Sequence, residues 1–201
     1  MKKIIILLTF LFLTGCDYIE LNDLSIIKSI AIDYHNKEYF LYAEIIDEIN
    51  NDNKPTTKII EVNGENIKDC FSNLIIRSNK VIHYSHVDLL ILSTNLDNDN
   101  LKEIFNYFLE SKNFRNDFMT ISSLDVKKLI KESKYDEIEQ LVKNNQHKEL
   151  INIDIEEVIK KYLDTNTITL SLFEYENDNV LYKYNIKFIN NNIERINYEE
   201  K

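Results

Sequence analysis

The sequence predicts an α+β fold: a mainly antiparallel sheet with packed helices, followed by a smaller helix plus β-hairpin unit. Three observations support this fold class. Short β-prone runs in the first half are paired across polar connections. Apolar residues recur at helical spacing in three separate segments. Near the C-terminal end, two alternating runs at residues 167–172 and 180–189 flank a turn rich in Asn and Asp.

The chain begins with a segment typical of a secretory leader. Lys2 and Lys3 precede an apolar run over residues 4–13, which is too short to cross a bilayer because a span needs ~20 residues. The tetrapeptide Leu-Thr-Gly-Cys that ends at Cys16 has the form of a bacterial lipobox. Since two acyl chains anchor a protein stably, we predict diacylglyceryl lipidation of Cys16 and an extracytoplasmic domain tethered to a membrane. The alternative is an ordinary signal peptide with a chance cysteine.

Strands dominate the first part of the chain after the leader. Runs at residues 26–33 and 39–46 are joined by a short polar connection and predict a hairpin. Residues 58–62 predict a third strand after an exposed polar loop. The nearly all-apolar run at residues 87–92 is typical of a strand buried on both faces, so we predict it as the central strand.

Two amphipathic helices are predicted in the same part of the chain. Each has apolar residues at i, i+3, i+4, i+7 and i+8, and the second follows an Asp- and Asn-rich segment that can cap it. The stripes are Ile67, Cys70, Phe71, Leu74 and Ile75 in the first helix and Leu101, Ile104, Phe105, Phe108 and Leu109 in the second. A short strand at residues 118–122 and a short helix at residues 124–130 follow.

The polar stretch over residues 132–148 predicts a unit boundary or a loosely packed helix. We therefore divide the chain into a signal peptide (1–15), an N-terminal α+β domain (16–131) and a shortened second α+β unit (132–201). The 186 residues that remain after the leader (201 − 15 = 186) are enough for one domain, or for one domain plus a small second one.

The second unit is predicted as one helix packed on a hairpin. Asp154 and Glu157 have the N-cap and N3 spacing of a capping box. The stripe of the helix that follows is Ile155, Val158, Ile159, Tyr162 and Leu163. In the hairpin, the alternating residues predicted on one face are Tyr182, Tyr184, Ile186 and Phe188.

Charge and cysteine content exclude several protein classes. The chain has 24 Lys and Arg against 34 Asp and Glu, a formal net charge of −10 that becomes −12 when Lys2 and Lys3 leave with the leader. A nucleic-acid interface is not expected without a basic cluster, and anionic lipid would repel the domain, so the lipid on Cys16 has to hold it. Cys70 then has no disulfide partner within the chain. On an apolar helix face it is predicted to be a buried small hydrophobe rather than a reactive thiol.

No catalytic, cofactor or metal site is predicted. Only two glycines occur, which excludes phosphate loops and dinucleotide fingerprints. His83 and His86 on one strand would point to opposite faces, so we predict no metal site there but a partly buried, hydrogen-bonded His86. The acidic residues of segments 47–52 and 97–99 lack the loop of a calcium site. The 12 tyrosines are assigned mainly to packing, although a ligand-binding cluster among them stays open. We therefore expect that the protein is not an enzyme.

Four stretches in chain order resemble one known family. The first reads Asp-Tyr-Ile-Glu-Leu-Asn-Asp-Leu from residue 17, and the second reads Ser-Ile-Ala-Ile-Asp from residue 29. The third joins a Gly-x-x-Ile segment at Gly64 to Tyr-Ser-His-Val at residues 84–87, before the apolar strand. The fourth is a helix ending in Phe-Leu followed by Arg115 and a strand. Together they are similar to the C-subunit lipoproteins of spore germinant receptors, although the family's Trp after the lipid cysteine is absent.

The resemblance implies a membrane-anchored lipoprotein subunit of a spore nutrient-germinant receptor complex that acts by protein–protein interaction in spore germination. Its implied place is the outer face of the inner spore membrane, and its implied partners are the two membrane-embedded receptor subunits. Family members usually carry further C-terminal domains, so the chain would be a short form without the last one. The alternative is a free-standing extracytoplasmic solute-binding or envelope-assembly lipoprotein, which small-molecule binding would reveal.

Overall fold

The computed structural model describes residues 24–49, 55–132, 135–143, 150–151, 153–189 and 192–196. These residues form nine strands and five helices. The strands are β1 (Leu24–His35), β2 (Glu38–Ile49), β3 (Pro55–Gly64), β4 (Val81–His83), β5 (Leu89–Ser93), β6 (Met119–Ser123), β7 (Thr167–Glu176), β8 (Asn179–Ile189) and β9 (Asn192–Ile196). The helices are α1 (Ile67–Ser78), α2 (Asn98–Glu110), α3 (Val126–Glu132), α4 (Tyr135–Lys143) and α5 (Ile155–Thr165).

The described strands join in one sheet with the order β3-β2-β1-β5-β6-β7-β8-β9, and β4 lies beside the start of β1. The outer strands pair antiparallel, through long ladders between β1, β2 and β3 and between β7, β8 and β9. The middle strands β1, β5, β6 and β7 run parallel. Because the long ladders are antiparallel, the predicted α+β class with a mainly antiparallel sheet is confirmed.

Both predicted hairpin turns are confirmed, and both need left-handed backbone. The central residues have φ values of 54° and 66° at Asn36 and Lys37, and of 51° and 61° at Asn177 and Asp178. Positive φ at both central positions is type I′ geometry, whose twist matches that of the flanking strands. Asn and Asp tolerate this conformation better than other residues with a side chain, which explains the polar composition of these turns.

β5 is the buried central strand predicted from the apolar run at residues 87–92. All five of its residues are buried, with β1 on one side and β6 on the other. Its side chains alternate between two cores: Leu90 and Leu92 enter one, and Leu89 and Ile91 enter the other. Since both faces are covered, the apolar run is continuous from Leu89 to Leu92, and the buried polar residue Ser93 comes only at its end.

The larger core, called the first core below, lies on the sheet face that α1, α2 and α5 cover. The helix residues in it are Ile67, Cys70, Phe71, Leu74, Leu101, Ile104, Phe105, Phe108, Ile155, Val158, Ile159 and Tyr162. All three helices have capped N-termini, because the side chains of Asn66, Asp97 and Asp154 each accept a hydrogen bond from a backbone N–H three residues later. The predicted caps of α2 and α5 are thereby confirmed.

The smaller core, called the second core below, lies on the opposite sheet face beneath α3 and α4. The sheet contributes residues such as Ala31, Ile91 and Ile121 to it. The helices contribute Val126, Leu129, Ile130, Ile138 and Val142. α4 lies within the polar stretch predicted as a boundary or a loosely packed helix, and it has only two buried residues.

The three predicted helix stripes are each one residue too long. Their first four members are buried, but the fifth is exposed: Ile75 by 51%, Leu109 by 56% and Leu163 by 65%. The residue at i+8 lies about 80° around the helix from residue i, at the edge of the stripe, and it falls in the last turn. The residues just before these three, Leu74, Phe108 and Tyr162, are buried, so the buried face ends at i+7 and the i+8 position lies beside it.

A β-bulge corrects the predicted face of the second hairpin. Leu172 pairs with Tyr184 but Phe173 pairs with Tyr182, so Lys183 is an extra residue in β8. One inserted residue reverses the alternation beyond it. Tyr184 therefore packs on the first core with Ile186 and Phe188, whereas Tyr182 packs on the second core. The prediction that all four residues share one face was wrong.

The predicted division of the chain at residue 131 stays a prediction. What the described residues show is that strands from both sides of that position share one sheet. The first core also draws residues from both sides, among them Leu90 and Leu170. β9, which pairs with β8, was not predicted.

Candidate functional site

Cys16, the predicted lipidation site, lies outside the described residues. Leu24 is the first described residue, and β1 starts there beside β4. The start of β1 is therefore the part of the described domain nearest to Cys16 along the chain. We call this side of the domain the tether end, and the side where β1 finishes the far end.

Cys70 is buried in α1, as predicted. Its side chain has no exposed area, and its Sγ lies 3.5 Å from the backbone oxygen of Tyr39. Burial, followed by the charge of Asp69, raises the pKa of the Cys70 thiol to about 12. The thiol is therefore protonated at neutral pH, and a thiolate nucleophile is not expected here.

His83 and His86 lie at the tether end, and the prediction of a partly buried His86 was wrong. Tyr84 occupies the buried position instead, and a hydrogen bond from the Val87 N–H to the Tyr84 oxygen closes a turn that leaves His86 exposed. His83 is also exposed, with its Nδ1 3.4 Å from the Ser85 hydroxyl. Within the described ranges, no three His, Cys, Asp or Glu side chains form a group that could hold a metal ion.

The acidic residues near Asp97 form a helix cap. The Asp97 carboxylate accepts from the Asn100 N–H at 2.9 Å, and the Asn100 side chain accepts from the Asp97 N–H at 3.0 Å. This reciprocal pair is a capping box. The Asp97 carboxylate therefore binds the N-terminus of α2, and its position is explained without a bound cation. The side chains of segment 47–52, the other acidic group, lie outside the described residues.

A buried polar network at the far end was not predicted. The Tyr39 hydroxyl donates to Glu103 at 2.9 Å and accepts from the Asn100 amide at 3.0 Å. The other Glu103 oxygen accepts from the Ile67 N–H at 2.8 Å. Burial is the main reason that the pKa of Tyr39 lies above its ordinary value. The network connects β2, α1 and α2, so it positions the helices. Asn100 and Glu103 at i, i+3 beside an apolar stripe were the sequence signal for it.

Two of the tyrosines, Tyr84 and Tyr107, belong to an aromatic group in the first core, near the tether end. Its members are Phe71, Tyr84, Tyr107, Phe108, Phe114 and Phe118. Phe71 and Tyr107 stack with their ring centroids 4.4 Å apart, and edge-to-face contacts join the others. Burial raises the pKa of Tyr107 to about 12. These rings fill the space between α1 and α2.

Two open clefts lie at the tether end, on either side of Arg115. The first, of about 340 Å³, lies between the end of α2 and the start of α5, with Phe108, Phe114 and Phe118 in its lining. The second, of about 430 Å³, is more polar and includes Asp88, Asp117 and Tyr135. Arg115 binds Asp117 through two hydrogen bonds of 2.8 and 2.6 Å, which hold the pKa of Asp117 below its ordinary value. The described linings contain neither Cys nor His, so they offer no Cys–His or Ser–His pair for nucleophilic catalysis.

Several residues of the family-like stretches have structural roles. A Cβ at Gly64 would lie 2.8 Å from the Cys70 backbone nitrogen, so the junction between β3 and α1 excludes a side chain there. The hydroxyl of Ser29 donates to the buried Glu44 at 2.7 Å. Tyr84 belongs to the aromatic group. These positions secure the fold rather than a reactive site.

Comparisons with known proteins agree with the resemblance. A family model described as the spore germination protein N-terminal domain matches residues 17–175, which is most of the chain. No curated protein and no solved structure matches the chain. In the described ranges, no helix combines the length and apolar character needed to cross a bilayer. The family match spans the described domain from β1 into β7, and the chain therefore belongs to the spore germination protein family, whose N-terminal domain it carries.

Proposed function

We propose that the chain is a lipid-anchored subunit of a spore nutrient-germinant receptor complex, which acts by binding the two membrane-embedded receptor subunits. The observation that carries this proposal is the family match over residues 17–175. The match begins directly after Cys16, the residue at which lipobox cleavage would start the mature protein. The lipobox motif and the start of the family match therefore both support a mature domain that begins at Cys16.

A binding role also suits the chemistry of the described residues. Cys70 is buried and protonated, and the acidic residues near Asp97 cap a helix. Tyr39, Asn100 and Glu103 satisfy one another in a network between elements. Polar groups used in this way stabilise the fold, and they support a scaffold that acts through its surface rather than an enzyme.

The anchor would place the protein on the outer face of the inner spore membrane. A tether of this kind raises the effective concentration of the domain near membrane partners to the millimolar range when the linker is short. A modest interface then suffices for assembly, so we expect weak binding of the partners by unanchored protein.

The two cysteines of the chain provide a matched test of the anchor. Cys16→Ala should leave the precursor uncleaved or release the protein from spore membranes. Cys70→Ala changes the same residue type within the folded domain and should keep the protein in the membrane fraction. Mass spectrometry of the mature N-terminus gives the direct measurement. An unmodified N-terminus at another residue would overturn the lipoprotein assignment.

Co-purification tests the partners. Affinity-tagged protein from spore membranes should recover the two membrane-embedded receptor subunits, and deletion of its gene should slow germination with some nutrients only. The Cys16→Ala protein should recover less of both subunits than the Cys70→Ala protein. Saturable binding of a small molecule by the domain, without recovery of either subunit, would replace this proposal with the solute-binding alternative.

A further inference from the structure

The tether end has exposed apolar residues in neighbouring elements. α1 begins just after β3, whose last residue Gly64 pairs with Tyr39 at the far end, and β4 after α1 pairs with the first residues of β1. α1 therefore runs from the far end to the tether end. α2 runs the same way, because it connects the end of β5 to the start of the parallel strand β6. The last turns of both helices thus lie at the tether end.

These last turns contain apolar residues that the first core does not cover. Ile75 and Leu109 are the exposed fifth members of their stripes, and Ile76 beside them is 75% exposed. Val81, the first residue of β4, is 48% exposed. Isolated exposed apolar residues are ordinary, but a set of them at one end of a domain indicates a contact surface.

Basic residues lie next to this set although the chain as a whole is acidic. Arg77 follows Ile76 directly and Lys80 lies three residues further along the chain, while Lys112 comes just after the end of α2. Glu110 is the acidic neighbour on α2. Arg115 is already bound to Asp117. The acidic residues Asp88, Asp154 and Glu157 line the polar cleft on the other side of Arg115, away from the end of α1. By contrast, the far end is acidic, with Asp33, Asp97, Asp125 and Glu174 near the strand ends. Apolar side chains flanked by cations are the composition of surfaces that lie on anionic bilayers.

The length of the tether limits which side of the domain can reach lipid. Eight peptide steps separate Cys16 from Leu24, so even a fully extended tether spans at most about 29 Å. β1 has 12 residues, and its two ends are therefore about 36 Å apart. If the far end faced the bilayer, Leu24 would lie farther from the lipid than the tether allows.

We propose that the tether end lies on the lipid bilayer, with Ile75, Ile76, Val81 and Leu109 in the headgroup–acyl boundary and Arg77, Lys80 and Lys112 near lipid phosphates. This inference rests on the proposed anchor at Cys16. It gives the anchored domain a fixed orientation: the acidic far end points away from the membrane, and the sides of the sheet remain open to the membrane-embedded subunits.

The absence of tryptophan from the chain permits a direct test. Ile76→Trp introduces a single reporter at the tether end, and Leu124→Trp, at a site that is 57% exposed, introduces a matched reporter at the far end. Lipidated protein is reconstituted in phosphatidylcholine–phosphatidylglycerol vesicles with brominated acyl chains. We expect quenching on the order of twofold at position 76, since interfacial side chains lie ~5–10 Å deep, and none at position 124. Leu109→Trp provides a second tether-end reporter should the first variant fold poorly.

Each result supports or overturns the inference. Weaker quenching at position 76 when Arg77→Gln and Lys80→Gln are added, or when phosphatidylglycerol is omitted, supports the role of the cations. Equal quenching at positions 76 and 124, or none at 76 in vesicle-bound protein, overturns the orientation but leaves the anchor intact. No quenching at 76 in the vesicles, together with a blue shift of the tryptophan emission of the Ile76→Trp variant only when the membrane-embedded subunits are added, identifies a protein-docking surface instead. A mature protein without lipid at Cys16 overturns the proposed anchor itself, which the N-terminal mass reveals separately.

Discussion

The two faces of the sheet hold their helices by different means. On the first-core face, the aromatic group and the Tyr39 network connect α1 to α2. On the second-core face, α3 has seven residues and α4 has nine. Ion pairs of partly exposed side chains, Lys28–Asp136 and Lys127–Glu61, flank these two helices. Exposed ion pairs contribute little stability.

This difference separates the part of the domain that carries stability from the part that can open. Local unfolding occurs where few apolar residues are buried, and α4 buries only Ile138 and Val142. The first-core face, in contrast, can open only by breaking packed rings and a buried polar network together. We therefore expect global unfolding after damage to the first core and local opening after damage to the second.

The largest expected effect comes from a buried charge in β5. Leu90→Asp places a carboxylate in the first core without a partner, and its desolvation costs several kcal/mol, a large share of the stability of a typical domain. We expect loss of the cooperative thermal transition in circular dichroism. Ile91→Asp does the same in the second core, where α3 and α4 can open to admit water, so a lowered but visible transition should remain.

One control variant accompanies Leu90→Asp and Ile91→Asp. Leu90→Met nearly conserves volume and should cost less than about 1.5 kcal/mol. If Leu90→Asp melted within about 2 °C of the unmodified protein, β5 would not be a core strand. If Ile91→Asp were the more damaging change, the order of the two cores would be reversed.

A smaller effect is expected from the aromatic group. Phe71→Ala removes the ring that stacks on Tyr107 and contacts Tyr84, Phe108 and Phe114. Such a deletion costs about 3–5 kcal/mol, because transfer energy and a cavity add. Urea unfolding gives the measurement. Ile76→Ala on the exposed side of the same helix is the control and should stay within about 0.5 kcal/mol; a similar loss in both variants would contradict the assignment of Phe71 to the core.

Local features of this fold could be predicted from the sequence, whereas long-range pairing could not. The caps at Asp97 and Asp154 and the turn at Asn177 depend on residues a few positions apart, and all were predicted correctly. The bulge at Lys183 and the bond between Tyr39 and Glu103 depend on which distant segments meet. Helical spacing also continued to Ile75 and Leu109, because periodicity does not report how wide a face of the helix the sheet covers.

The candidate site also has one part that local sequence predicts and one part that depends on long-range pairing. The motif that ends at Cys16 is local and specific, so the anchor could be predicted from sequence, and it stays a prediction until the N-terminus is measured. The tether end is defined by the directions of α1, α2 and β1, which follow from the parallel pairing in the middle of the sheet. Since that pairing was not predicted, no sequence signal connected Ile76 with Leu109.

A third prediction concerns local opening of the second core. Ile138→Ala removes a fully buried side chain from α4, where large-to-small changes cost about 2–5 kcal/mol if the whole fold depends on them. We expect a global loss at or below the low end of that range, because α4 can detach. Hydrogen exchange should speed up in α4 while α1 and α2 keep their protection. Faster exchange throughout the sheet would show instead that both cores unfold as one unit.

The smallest expected effect distinguishes packing from local helix stability. Asp97 caps α2 over the first core, and Asp125 accepts from the Lys128 N–H at 2.9 Å at the start of α3 over the second. A lost N-cap costs ~1 kcal/mol wherever the helix packs, so Asp97→Ala and Asp125→Ala should lower the melting temperature by similar amounts, about 2–4 °C. Asp97→Asn and Asp125→Asn keep an acceptor and should restore most of the loss. Since a cap acts within one turn, equal effects would show that the difference between the faces comes from their cores. A much smaller effect at Asp125 would mean that α3 is already partly detached, and the second face would then be the weaker one in its helices as well as in its packing.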